Sequence, residues 1–291
     1  MKRTDTENDD LITIKLDFEN ILEFVQYSNK NTNDYNYSRR FKKSQNFCPM
    51  SFDDTVKDTL TGKLNIDNIR FEKIQNKIKS ITPSKETSSF YDVTGNVLDI
   101  GRYVTGEPEC FENEIETDGK EMLTIGINFT MSCRALAEDI ANRAYYIASM
   151  IDYLSNYYYI DIKLFDCTSR LKSYLVRGKE IKCITSINVS SFPIDIRTIF
   201  KACNPGFLRR LMFGVHEIIT DESNLNFCSY GWCSDIVPDE INGRFLYFPS
   251  NAILPTRCFS YEPDTVMNEI LHPAIDKLAR GERFVVVKEQ A

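Results

Sequence analysis

The sequence predicts an α/β protein: a three-layer domain with a sheet flanked by helices, preceded by a mostly helical N-terminal region. Three observations carry this. Residues 122–168 read in order as an apolar strand, a polar loop, a helix and a second strand. Further strand-like runs at 181–189, 244–249 and 283–287 alternate with helical spacing near 194–219 and 263–279, the pattern of a sheet covered by helices. Hydrophobic residues make up 42% of the 291 and aromatic residues 12%, enough to bury a packed core.

Residues 1–10 are polar and read as a frayed end. Residues 11–27 begin with strand-like alternation and pass into helical spacing at Phe18, Ile21, Leu22 and Val25. Residues 28–46 hold almost no aliphatic side chains and are expected to form a mobile loop. Ser51 is placed to cap a short helix over 51–60, with Asp54 completing a Ser-x-x-Asp capping pattern and Gly62 near its stop. Ile66, Ile69, Ile74, Ile78 and Ile81 predict a further helix, ended by Pro83. The polar stretch 82–89 is the expected boundary between an N-terminal region, 1–89, and an α/β domain, 90–291.

In the helix expected over 134–154, Leu136, Ile140, Ile147, Ile151 and Leu154 form one apolar face. Ala137, Ala141, Ala144 and Ala148 make a neighbouring small stripe that lets the helix axis approach a sheet closely. Asn204-Pro205 reads as an N-cap and first-turn pair for a second long helix, with Leu208, Leu211, Met212, Val215 and Ile219 on its buried face.

Composition narrows the function classes. A net charge of −7 and pI near 5.1 favour solubility and argue against broad binding to nucleic acid. No window approaches the roughly 18 apolar residues of a membrane span, and the opening MKRTDTENDD leads into no signal-type apolar core. Nine cysteines, scattered and odd in number, suit reduced thiols in the cytoplasm.

The candidate site follows the strand ending at Asn128. Asn128, Thr130 and Ser132 alternate just past its carboxyl end, where α/β sheets place ligand sites. The plainer reading has Asn128 and Thr130 satisfying loop backbone groups while Ser132 caps the helix. A partner-binding groove at this edge is compatible with either.

This order of strand, Asn128-Phe129-Thr130-Met131-Ser132, helix and strand resembles the first half of a von Willebrand factor type A (vWA) domain. The resemblance covers roughly 120–290 and implies a Rossmann-like fold and a protein-interaction role. In that family the first strand ends in Asp-x-Ser-x-Ser, whose oxygens bind a divalent cation. Here Thr130 and Ser132 keep the hydroxyls, but Asn128 stands at the aspartate position. Losing that carboxylate removes a full charge beside a divalent ion, a loss on the order of several kcal/mol. Ser190, Ser191 and Asn251 follow later strands and bring no acid to compensate. No cofactor is expected, with a divalent cation such as Mg2+ as the alternative at Asn128, Thr130 and Ser132.

The block 92–110 is punctuated by Gly95, Gly101 and Gly106 but lacks a phosphate-loop Gly-Lys-Ser/Thr, and Gly106 to Glu109 reads as a turn. Its Gly101-Arg102-Tyr103 and Gly106 to Cys110, with Pro205 to Arg210 later, are similar to segments of uncharacterised bacteriophage proteins containing a domain of unknown function. That similarity implies a viral accessory protein in a host cytoplasm.

Arg102, Arg209 and Arg210 are candidates for binding phosphate or carboxylate, against the alternative of solvated or internally paired arginines. Tyr35, Tyr37, Arg39, Arg40, Lys42 and Lys43, with Phe41, have the aromatic-basic mix of a single-strand nucleic-acid contact, against the alternative of a solvated loop. Cys228, Cys233, His216 and Cys258 offer zinc ligands without the usual close Cys pairs, buried thiols being the default. His216 and His272 are the only histidines, and neither belongs to a nucleophile motif; His272-Pro273 reads as a helix kink or restart. The leading expectation is a protein-interaction module binding an unidentified protein at the sheet edge near Asn128. The alternatives are a metal-dependent or nucleic-acid-processing enzyme, and a single-stranded nucleic-acid-binding protein acting through 35–43.

Overall fold

Eight residues with alternating burial open the main sheet. A computed structural model of the chain describes residues 1–40, 42–61, 68–79, 89–94, 97–114, 121–131, 135–170, 180–189, 196–222, 232–235, 244–250 and 266–287. Strand β1 (Lys2–Glu7) pairs antiparallel with β2 (Leu11–Phe18), which buries Ile14, Leu16 and Phe18 on one face. The expected fraying of 1–10 gives way to an edge strand whose side chains are all exposed and largely charged, a composition that discourages edge-to-edge pairing.

Helices α1 (Ile21–Asn31), α2 (Tyr37–Arg40), α3 (Phe52–Thr61) and α4 (Asn68–Lys79) follow. Ser51 and Asp54 cap α3 reciprocally, Asp54 N–H to Ser51 Oγ at 3.1 Å and Ser51 N–H to Asp54 Oδ2 at 3.4 Å. Ile74 and Ile78 of α4 are buried, whereas Ile69 is exposed. Ile66, Ile81, Gly62 and most of the 82–89 segment lie outside the described residues.

The segment expected to be a mobile loop is ordered by polar contacts instead of aliphatic burial. The backbone N–H and the hydroxyl of buried Ser38 donate to Glu217 at 2.9 and 2.7 Å, and Asn36 accepts from the Asn33 N–H at 2.7 Å.

A small antiparallel sheet comes next, in the order β3 (Ser89–Asp92), β5 (Phe111–Glu114), β4 (Val97–Leu98), with α5 (Ile100–Val104) inserted between β4 and β5. The chain then builds β6 (Glu121–Asn128), α6 (Ala137–Ser155), β7 (Tyr158–Arg170), β8 (Glu180–Asn188) and α7 (Ile196–Ala202). A π-helical turn, Phe207–Met212, leads into α8 (Phe213–Glu222), then β9 (Trp232–Cys233) and β10 (Arg244–Phe248). A second π-helical turn, Val266–Leu271, restarts as the helix His272–Ala279 at Pro273, and β11 (Phe284–Val286) follows.

The main sheet runs β1-β2-β8-β7-β6-β10-β11, with β9 also pairing to β7. The β2–β8, β7–β6, β6–β10 and β10–β11 pairs are parallel, while β8 runs antiparallel to β7. The mixed α/β class read from the sequence therefore forms. The N-terminal region holds helices α1 to α4, and its strand β2, in which Ile12, Ile14, Leu16 and Phe18 repeat every second residue, joins the main sheet through β8.

Alternate residues of the strands sort into two faces. Leu123, Ile125 and Ile127, with Ile160, Ile162, Leu164, Leu246 and Phe248, join one large core with the buried side chains of the helices. Phe165, Phe245 and Tyr247 form a smaller cluster on the other face, with Val286 against it. Gly126 allows this second cluster to close over β6, since a Cβ there would lie 2.6 Å from Phe245 Cζ and 3.2 Å from Phe165 Cε2. Gly126→Ala is expected to lower stability by about 1–3 kcal/mol through overpacking. An unchanged denaturant midpoint for that variant would contradict this packing.

Candidate functional site

The last residues of strand β6, Ile125 to Asn128, are buried, and Asn128 is the polar side chain that closes its carboxyl end. Asn128 is 0% exposed. Its Oδ1 accepts the Thr130 N–H at 3.0 Å, turning the chain out of the strand. Its Nδ2 faces three oxygens: Ser234 O and Asp235 Oδ1, each at 2.9 Å, and the Tyr247 hydroxyl at 3.2 Å. The same Asp235 Oδ1 takes the Tyr247 hydroxyl at 3.2 Å and the Ser250 N–H at 3.0 Å.

The source of Ser234 and Asp235 follows from pairing. Strand β8 occupies one edge of β7 along Lys163–Arg170, so β9, which pairs with Thr168 and Ser169, lies on the β6 side beyond Asn128. The position where an open α/β sheet would receive a ligand is therefore filled by residues 232–235 of the chain itself. Arg143 of α6, buried, closes the neighbouring side by donating to Pro249 O at 2.9 Å, with its guanidinium over the Phe129 ring.

Thr130 is 4% exposed and belongs to a second network. Its hydroxyl donates to Asp166 Oδ1 at 2.8 Å and accepts the Cys167 N–H at 2.5 Å. The other oxygen of Asp166 lies 2.6 Å from His216 Nε2 on α8. Burial pushes the Asp166 carboxyl upward, but the His216 charge and the hydrogen bonds from His216 and Thr130 outweigh it and hold the group below its usual range. The pair ties helix α8 to strand β7 from within the core, and both side chains are almost entirely excluded from solvent.

The structure thus places Asn128 and Thr130 at the carboxyl end of a parallel strand, as expected, but turns both inward. Ser132, Ser190, Ser191 and Asn251 lie outside the described residues. Among the described residues that follow β6 and β9, Leu136, at the start of α6, and Asp235 are exposed.

The three candidate arginines are not brought together. Arg102, on α5, stacks over Tyr91 at 3.8 Å and donates to Glu109 O at 3.2 Å. Arg209 and Arg210 are buried: Arg209 donates to Ala135 O at 2.9 Å and covers the Phe47 ring, while Arg210 donates to Met50 O at 2.8 Å and Ser38 O at 3.2 Å. Both are buried and not solvated, and carbonyls of the N-terminal segment and of the loop before α6 receive them.

In the basic segment, Tyr35, Arg40 and Lys42 are exposed, whereas Arg39 pairs with Asp53 at 3.0 Å and Lys43 with Asp54 at 2.5 Å. Phe41 and the side chain of Tyr37 lie outside what is described. Cys228 and Cys258 do too, and burial pushes the Cys233 thiol up to about 11, away from a metal-binding thiolate. Among the described residues no three His, Cys, Asp or Glu side chains are grouped to hold a metal ion.

Asp166, Asp235, Tyr247 and Arg143 escaped sequence reasoning. An aspartate inside the apolar run Leu164-Phe165-Asp166-Cys167, and an arginine within the alanine stripe of α6, were the available signals.

A separate cavity of about 570 Å3 lies at the opposite end of the strands, lined by Glu121, Met122, Arg244, Gly281 and Arg283. Arg244 is already engaged there by Glu121 at 2.6 Å, the Tyr158 hydroxyl at 3.1 Å and Leu278 O at 2.9 Å.

Fold and site together define a mixed α/β protein whose central strand ends in a hydrogen-bonded cluster. The chain belongs to the domain of unknown function family DUF7192, whose model matches residues 6–256. The match runs through the 82–89 stretch and takes in β2 and the central strands alike. No curated protein and no solved structure matches the chain.

Proposed function

We propose that this protein is a vWA-like, three-layer interaction module that engages a protein partner at the carboxyl edge of its parallel strands without a bound cation and without catalysis. The observation that carries the reading is the hydrogen bonding of Asn128. In the vWA pattern a carboxylate at this position helps a metal gather oxygens from several loops. Here an amide N–H2 gathers Ser234 O, Asp235 Oδ1 and the Tyr247 hydroxyl. Hydrogen bonds replace the cation as the tie between loops, and donor N–H groups occupy the space a positive ion needs.

The vWA-like assignment is supported by β6 leading into an Asn-x-Thr turn and then α6, with parallel neighbours β7 and β10 on either side. The partner is met by the surface that this cluster shapes, including exposed Leu136; Asn128 and Thr130 act from behind it. Assignment to a phage-encoded protein in a host cytoplasm rests on the Gly101 to Cys110 and Pro205 to Arg210 segments and the scattered cysteines.

The test has two arms. A native-state cation site would raise the melting temperature in proportion to the logarithm of metal concentration, so a shift under about one degree between EDTA and millimolar Mg2+ or Mn2+ is expected. Recovery of a protein partner from host extract is expected to be equal in EDTA and Mg2+ and to fall for Leu136→Glu. A metal-dependent rise in melting temperature, or equal recovery by Leu136→Glu, would count against the reading.

A further inference from the structure

The small sheet carries a surface that the central cluster does not explain. Ile100, Tyr103 and Val104 stand at i, i+3 and i+4 on α5, which makes them neighbours on one helical face. They are 70%, 63% and 76% exposed, and no residue of α5 is buried. Leu98 and Val93, beside the helix in sequence, are exposed too. A soluble domain seldom leaves such a group together in water unless something covers it.

Among the described residues of this unit, 89–94 and 97–114, acidic side chains outnumber basic ones. Asp92, Asp99, Glu107 and Glu109 belong to the same unit, against Arg102 alone. Arg102 stacks on Tyr91 and pairs with Glu107 at 3.4 Å, so those two charges offset each other and Asp92, Asp99 and Glu109 leave the unit net acidic. The result is an apolar helix face on a net acidic unit. An acidic rim repels nucleic acid and anionic membranes and attracts lysine and arginine.

We infer that α5 and the strands beside it form a docking surface for a partner protein segment presenting an apolar helical face flanked by lysine or arginine. Apolar contact with Ile100, Tyr103 and Val104 supplies the attraction, and the carboxylates select basic flanks and orient the encounter. The inference concerns a different surface from the carboxyl edge of β6 and does not rest on that reading.

The probe is a fluorescent helical peptide with leucine along one face and lysine on its flanks, titrated with the full chain. A matched leucine–glutamate peptide serves as control. Binding of the lysine peptide is expected, weaker at higher salt and weaker by at least roughly tenfold for Ile100→Glu/Val104→Glu. Ile100→Leu/Val104→Ile is expected to retain it, and because these positions are exposed both pairs should melt with the wild type. Absence of binding, equal binding of the glutamate peptide, or equal binding by the Glu pair overturns the inference. So does a wild-type dimer dissociated by the Glu pair, which would make a second copy the occupant. Cosedimentation with phosphatidylcholine vesicles in place of peptide binding would overturn it in favour of a membrane.

Discussion

Asn128→Asp is expected to lower the melting temperature by roughly 10 °C at neutral pH. The substitution is nearly isosteric, so the loss comes from charge and not from a cavity. It places a carboxylate where Nδ2 now donates, against Asp235 Oδ1 and Ser234 O at 2.9 Å and the Tyr247 hydroxyl. Two unit charges about 4 Å apart repel by about 4 kcal/mol at an effective dielectric of 20, and each kcal/mol moves the midpoint of a chain this large by about 2–4 °C. The new carboxyl is held neutral more readily in the folded state, so its folded pKa is raised above the unfolded value. Its penalty then grows as pH rises past the ordinary carboxylate range near about 3.9 and shrinks below it. Millimolar Mg2+ should restore part of the loss in Asn128→Asp while leaving the wild type unmoved, since the variant supplies the acid that a hard cation needs. A variant that melts with the wild type at neutral pH would show that Asn128 is not packed against those oxygens.

Asp166→Ala is expected to be comparably damaging, by about 3–5 kcal/mol, because it strands His216 in the core and removes the acceptor of the Thr130 hydroxyl. The native pair carries its own pH signature. The folded pKa of Asp166 lies below its unfolded value, despite burial, through His216 and the hydrogen bonds. Its contribution is therefore complete above the unfolded value of about 3.9 and is lost as pH falls through the folded value. Wild-type stability should decline in that acid window, and Asp166→Asn should start lower and decline less. Parallel acid limbs for the two proteins would mean that the carboxyl does not carry this charge in the fold.

What the sequence disclosed was local. The strand, turn and helix around Asn128 were legible because an apolar run, an Asx turn and an amphipathic face each lie within a few turns of chain. The Ser51–Asp54 box and the Asn204 cap, which accepts the Phe207 N–H at 2.8 Å, are legible for the same reason. The pairing of β2 with β8 joins segments more than 160 residues apart, and no periodicity announces it. The polar β1 carries no apolar signal at all.

The interior of the site was hidden by the same distance. Asn128 meets Asp235 and Tyr247, and Thr130 meets Asp166, only across the sheet. Arg209 and Arg210 looked like surface charge because their acceptors, Ala135, Met50 and Ser38, come from segments remote in the chain. Conversely, the apolar spacing of Ile100, Tyr103 and Val104 is visible in the chain, but its exposure is not.

Anomalous diffraction from crystals grown in millimolar Mn2+ addresses the central idea, that an amide has taken over the cation's place. The account predicts no manganese peak beside Asn128 and an Asn128 Nδ2 still within hydrogen-bonding distance of Asp235. A manganese ion coordinated by Asn128 Oδ1 and the Thr130 hydroxyl would contradict it.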